Sequence, residues 1–249
     1  MNKLFFTILL FLIIGMMNDT AAQNFKSQQQ KFPRVQTAFA EKESTVRKMF
    51  AAKQLTYPAR AIFLRAFKRE SVIELWVQET GQFHLLKTYN VCAASGGIGP
   101  KREQGDNQVP EGFYTIDRFN PVSSFYLSLG LNYPNASDRI LGARGNLGGD
   151  IFIHGNCVSI GCMAITDEQI KELYLIAVEA RASGQTQIPV QVFPLRMNEA
   201  GMRKLEQKAA GNATLLRFWR NLKTGYDVFE TQHRLPVVTV DTQGQYVFR

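Results

Sequence analysis

Cys162 closes the run Ile151-Phe152-Ile153-His154-Gly155-Asn156-Cys157-Val158-Ser159-Ile160-Gly161-Cys162-Met163-Ala164. An apolar, strand-like stretch there delivers His154 into a turn that carries two glycines and ends on a thiol. A thiol is a poor nucleophile until its proton is removed, and a nearby imidazole lowers its pKa from roughly 8.5 towards or below neutrality. The run therefore reads as acyl-transfer chemistry. Cys162 is the nucleophile, His154 the proton acceptor and donor, and Ser159 orients the turn, while Gly155 and Gly161 let backbone approach a ligand closely. Backbone N–H groups around residues 160–162 are the candidates for an oxyanion hole. Singly, a cysteine or a histidine among apolar neighbours is more often structural. Together, a histidine, a serine and two glycines around one cysteine are poor core material, which favours catalysis.

The same residues bear on metal binding and on redox chemistry. His154, Cys157 and Cys162 are all zinc-ligand types, but no paired CxxC and no second nearby histidine completes a four-ligand set, and the H-x-E element of nucleobase deaminases is absent. No metal or other cofactor is expected. Cys92 lies in the alternating segment Tyr89-Asn90-Val91-Cys92-Ala93 and reads as a buried structural residue. Cys157, five residues before Cys162, either forms a reversible disulfide with the nucleophile or lines the turn. The geometry a disulfide demands favours the second in so tight a turn.

The elements that must position this run follow from hydrophobic spacing. Val35, Phe39, Val46, Met49 and Phe50 predict a helix over about 34–53, after a linker at Gln28-Gln29-Gln30. Strands are predicted at 61–67, 71–78 and 83–92, the last two joined by the turn Glu79-Thr80-Gly81-Gln82. Trp76 and His84, within those strands, read as packing or surface residues. After Cys162, Thr166 and Gln169 form a capping box for a helix with Ile170, Leu173, Tyr174, Ile176, Ala177 and Ala180 as its buried stripe, ended by Gly184. A strand at 188–193, helices at 198–210 and 212–223, and a hairpin over 236–247 turning at Gln243-Gly244 complete the chain.

Residues 1–22 read as an export signal: Lys3, an apolar stretch from Leu4 to Gly15 broken by Thr7, and small residues Thr20-Ala21-Ala22 before Gln23. The stretch is short for a membrane span, and no cysteine at the cleavage point indicates a lipid anchor. The signal holds one lysine and one aspartate, so its removal leaves the formal net charge at +8. A basic surface concentrates anionic substrates, while export and the lack of a nucleic-acid motif argue against nucleic acid.

His154-Gly155 followed by Ser159-Ile160-Gly161-Cys162 resembles the catalytic signature of the YkuD-like L,D-transpeptidases, and the chain from about 60 to 195 is most similar to their YafK-like subgroup. Residues 99–114 look like a strand-turn-strand that precedes the site in that family. The chain departs from the wider family in three ways: the histidine is nearer the cysteine, Ile160 replaces a second histidine before Gly-Cys, and Ala164 stands where an arginine or asparagine usually follows. The resemblance implies a mainly β, α+β fold, a YkuD-like β-sandwich with N- and C-terminal helical extensions. It divides the chain into signal (1–22), N-terminal helical segment (23–58), catalytic domain (59–195) and C-terminal extension (196–249). It also implies that the second histidine nitrogen is held by a backbone carbonyl, that of Gly155. The function implied is periplasmic, wall-associated transpeptidation of peptidoglycan stem peptides, with hydrolysis of the same linkages, release of a wall-attached lipoprotein, or wall binding without chemistry as alternatives. Lys101, Arg102, Arg139 and Arg144 are candidates for binding substrate carboxylates.

Overall fold

The computed structural model describes residues 24–249, so the export signal expected at 1–22 lies outside the described residues. The first elements are a helical turn, α1 (residues 24–29), and a long helix, α2 (Pro33–Ala52). Pro33 opens α2, where its missing N–H leaves no bond unmade. The helix buries Val35, Ala38, Phe39, Val46 and Phe50 against α4 (Asp167–Ala182), so the predicted stripe is the packed face. The three glutamines do not form a linker. Gln29 is buried within α1 and accepts a 2.6 Å hydrogen bond from the Tyr174 hydroxyl of α4.

Nine strands build one mixed sheet: β1 (Ile62–Phe67), β2 (Val72–Glu79), β3 (Gln82–Asn90), β4 (Ala93–Ala94), β5 (Gly112–Asn120), β6 (Ser128–Leu131), β7 (Phe152–His154), β8 (Met163–Ala164) and β9 (Ile188–Phe193). Their spatial order is β3-β2-β1-β9-β5-β6-β7-β8-β4. β3 and β4 follow each other in the chain yet stand at opposite ends of that order, so the sheet curls until its ends approach. The fold is the expected α+β class, mainly β with flanking helices, with the layers drawn from one continuous sheet. Trp76 stacks on Phe63 at 6.1 Å and His84 is exposed, as packing and surface residues.

Two segments differ from expectation. Residues 99–111 form an irregular loop, and only Gly112 begins a strand. Asp106 gathers the backbone N–H groups of Arg102, Glu103 and Gln108, so donors that would have paired in a ladder are satisfied locally. The final helix, α6 (Ala213–Gln232), runs past Lys223 and through Gly225. A Cβ at Gly225 would sit 2.4 Å from the Phe248 ring and 2.5 Å from the Phe113 ring. The glycine is therefore a notch for two aromatic rings, and their packing outweighs its weak helix propensity of about 1 kcal/mol.

Short α3 (Ala136–Leu141), α5 (Glu199–Lys208) and the hairpin β10 (Val238–Val240)–β11 (Tyr246–Phe248) complete the chain. The indole of Trp219 on α6 donates to buried Glu111 at 2.8 Å, and Glu111 pairs with Lys68 at 3.1 Å. This network joins the C-terminal extension to the loop that precedes β5.

Candidate active site

β7 carries the histidine. It pairs antiparallel with β6 and parallel with β8, so His154 stands between Ser128 and Ala164 in register. Its carbonyl accepts from Ile165 N–H at 2.8 Å, which fixes the backbone from which the imidazole projects. Nδ1 of His154 lies 2.6 Å from the carbonyl oxygen of Gly155, the partner the resemblance implied. A carbonyl only accepts, so Nδ1 carries the proton and Nε2 is left as the basic nitrogen. Phe125 lies over the ring, with centroids 4.6 Å apart. Gly155 is required for close approach: a Cβ there would sit 2.5 Å from Asp167 Oδ1 and 3.0 Å from the Phe125 carbonyl oxygen.

The turn from β7 to β8 carries the thiol. Ser159 clamps its end: the hydroxyl accepts from Cys162 N–H at 3.0 Å and donates to the Cys162 carbonyl at 2.8 Å. Gly161, at φ +85°, takes a left-handed conformation that favours glycine, and its N–H donates to the Ser95 hydroxyl at 2.6 Å. Two N–H groups considered for an oxyanion hole, those of Gly161 and Cys162, are thus already held by serine hydroxyls. The N–H of Phe152 points at Cys162 Sγ, 3.4 Å away. Cys162 and His154 line one open cleft of about 440 Å³, walled also by Phe125, Asp150, Phe152 and Ile160.

The cysteines differ from expectation. Cys157 neither pairs with Cys162 nor lines the turn as a free thiol; it forms a disulfide with Cys92, Cα–Cα 5.4 Å, and Cys162 is the free cysteine. Cys92, read as buried, is exposed between β3 and β4. The curl of the sheet explains both, since it brings the β3–β4 junction beside the β7–β8 turn.

Burial disfavours the charged form of both groups. Burial pushes the Cys162 thiol up, and the Asp150 charge adds to this while the Phe152 N–H works against it. Burial pushes the His154 imidazole down, against the Gly155 carbonyl. The thiol is thus pushed up where a nearby imidazole was expected to lower it, because desolvation disfavours both charged forms. What the arrangement can do is transfer the proton as attack occurs, with Nε2 as general base.

The four basic candidates lie elsewhere, and none lines the Cys162 cleft. Lys101 is buried, its ammonium donating to Asp106 at 2.7 Å and to the Glu103 carbonyl at 2.8 Å. Arg102 lies 3.7 Å from Asp138 on α3, Arg139 bonds the Pro134 carbonyl, and Arg144 is exposed. Sequence reasoning missed Ser95, Phe125 and the partner of Cys157. Ser95 and Phe125 leave no local signal, being distant in the chain. Cys92 left one: of three cysteines at most two can pair with each other, and a cysteine expected to act as a nucleophile has to be the one left over.

The sequence model described as the L,D-transpeptidase catalytic domain, YkuD, matches residues 72–192, which include His154 and Cys162. YafK of Escherichia coli (strain K12), an L,D-transpeptidase by provisional name, is 39% identical over 188 residues, 75% of this chain and 73% of that protein. The protein of the same name in Escherichia coli O157:H7 matches to the same extent. Among solved structures, the helical cell shape determining protein Pgp2 from Campylobacter jejuni is similar with a TM-score of 0.45 at 17% identity, over 75% of this chain and 74% of that one. Bd1075 from Bdellovibrio bacteriovorus is similar with a TM-score of 0.39 at 20% identity, over 68% and 60%. With that identity sustained across three quarters of both sequences, and the histidine and cysteine inside the matched segment, the chain belongs to the L,D-transpeptidase (YkuD) family.

Proposed function

We propose that the protein is an exported cysteine acyltransferase that acts on peptidoglycan stem peptides, with L,D-transpeptidation as its reaction. The observation that carries this reading is that Cys162 and His154 line one cleft while Nδ1 is occupied by the Gly155 carbonyl, leaving Nε2 to take the thiol proton. Sγ attacks a stem-peptide carbonyl carbon as its proton passes to Nε2. The C–N bond then breaks, and the departing amine takes that proton from His154. The acyl group is left as a thioester on Cys162. An acceptor amine next attacks the thioester carbonyl and loses its proton to Nε2, which restores the thiol as the new amide forms. The Phe152 N–H, aimed at Sγ, stabilises the thiolate whenever it forms. A wall polymer rich in carboxylates also suits the net charge of +8.

Hydrolysis is a second reading, favoured by the openness of the cleft. Phe125, Val158 and Ile160 on its rim are 40%, 52% and 80% exposed, so water reaches the thioester. Incubation with defined muropeptides, followed by mass spectrometry, tests both. Crosslinked products that rise with acceptor concentration are expected for transfer; shortened stems indifferent to acceptor establish hydrolysis. No product from any wall fragment, with Cys162 unmodified, overturns the enzymatic reading.

A further inference from the structure

We propose that the Ser128 hydroxyl positions the amine that takes the acyl group from Cys162, and thereby sets transfer against hydrolysis. This role rests on the acyl-transfer reading of Cys162 and His154, and it belongs to the half-reaction that consumes the thioester. β5, β6 and β7 carry Asn120, Ser128 and His154 in one row: Asn120 pairs with Ser128, and Ser128 with His154. Directly paired residues of antiparallel strands project to the same face, about 5 Å apart, and all three residues line the Cys162 cleft. The neighbours of Ser128 on its strand, Leu127 and Leu129, turn to the opposite face and into the core. Ser128 is only 2% exposed, yet its hydroxyl makes no hydrogen bond among the described residues. Of the described buried side-chain atoms that are closed to solvent, Arg102 Nη1 alone lacks a partner, so the Ser128 oxygen is not closed; what remains of its surface opens on the cleft. Burying a hydroxyl without a partner costs free energy, which a polar group entering the cleft recovers.

The chemistry of the second half-reaction identifies that group. Nε2 of His154 receives the acceptor's proton, so an attacking amine stands beside the imidazole with its lone pair towards the thioester carbon. One N–H of the amine meets Nε2, and a second meets the Ser128 oxygen, the next acceptor along the row. These two contacts aim the lone pair: the C–N bond forms, the electrons of the C–S bond leave on Sγ, and the proton taken up by Nε2 passes to sulfur. Asn120 follows in the row. Its Oδ1 accepts from Val122 N–H at 3.1 Å, which leaves the amide NH₂ free for a carbonyl borne by the amine. Water carries no such substituent and uses at most one of these holds, so the row favours an amine over water.

The test starts from an acyl-enzyme made chemically. Phenyl thioacetate acetylates Cys162, with thiophenolate leaving as Sγ takes the acetyl group, so the thioester forms whether or not muropeptides are substrates. Its loss is followed by mass spectrometry of the Cys162 peptide in water and in glycinamide, with N-acetylglycinamide as the transfer product. Ser128→Ala should slow transfer to glycinamide about tenfold more than it slows hydrolysis. Iodoacetamide should alkylate Cys162 in this variant at the parent's rate, and the urea midpoint should be no lower, since the hydroxyl removed has no partner. Ser128→Thr, which keeps the hydroxyl, should divide the acetyl group between amine and water as the parent does. The proposal is overturned if Ser128→Ala leaves that division unchanged, if it slows both reactions by the same factor, or if Ser128→Thr behaves as Ser128→Ala. An acetyl-Cys162 in the parent that resists amine and water alike overturns the acyl-transfer reading and this role with it. Inert muropeptides beside the expected division would remove the substrate and uphold the role of Ser128.

Discussion

The β7–β8 turn and the loop between β4 and β5 are both irregular, and they meet where the Ser95 hydroxyl accepts from Gly161 N–H and donates to the Asn107 carbonyl at 2.7 Å. They are fixed by different means. The turn is tied by the Cys92–Cys157 disulfide and by Ser159, which grips both ends of the Cys162 peptide unit. The loop is organised by one carboxylate, Asp106, which takes three backbone N–H groups and the Lys101 ammonium. A covalent tie withstands changes in pH, whereas a carboxylate hub fails when it is protonated. The segment that presents Cys162 is thus the less dependent on solution conditions, and the loop behind it is the more titratable.

If the turn carries the chemistry and the loop only supports it, substitutions should separate into two kinds. Cys162→Ser should lower turnover on muropeptides by on the order of 10⁴-fold while the urea unfolding midpoint stays put. Retained turnover would move the nucleophile elsewhere. His154→Gln should lower turnover by about 10²- to 10⁴-fold. Because burial and not the imidazole sets the resting thiol, alkylation of Cys162 by iodoacetamide should rise with a midpoint above the ordinary thiol value of roughly 8.5, in this variant as in the parent. A midpoint well below 7 in the parent, abolished by His154→Gln, would mean a preformed ion pair instead.

Stability should respond to the two fixings in turn. Closing a chain segment of 65 residues, the disulfide should contribute about 4 kcal/mol by loop-closure entropy. The double variant Cys92→Ser/Cys157→Ser, which leaves no thiol to pair with Cys162, measures this in urea; an unchanged midpoint would show that the turn is held without it. Asp106→Ala should lose about 3 kcal/mol, mainly by leaving the buried Lys101 ammonium unpaired. Burial opposes ionisation of Asp106, but Lys101 and the three N–H groups outweigh it and hold the carboxyl below its ordinary range. Its folded pKa is depressed, so this stabilisation is complete above the unfolded value near 4 and is lost as pH falls through the folded value. The parent should therefore lose more stability than Asp106→Ala between about pH 5 and pH 2; parallel loss in both would remove Asp106 from the role of hub.

Much of this molecule is written locally. The apolar run into His154, the Thr166–Gln169 capping box found at the start of α4 and the Thr80-Gly81 hairpin turn are each signalled by residues a few positions apart, and each stands where the spacing puts it. His154 and Cys162 belong to the same local text, being eight positions apart around one turn. Tertiary structure decided what depends on distant segments meeting. The curl of the sheet set Cys92 beside Cys157 and placed Ser95 behind Gly161, while the Phe113 and Phe248 rings packed against Gly225 where α6 runs on. It also decided the surroundings of Cys162: a thiol and an imidazole near in sequence suggest an ion pair, but burial, which no short window reveals, pushes the thiol up and the imidazole down.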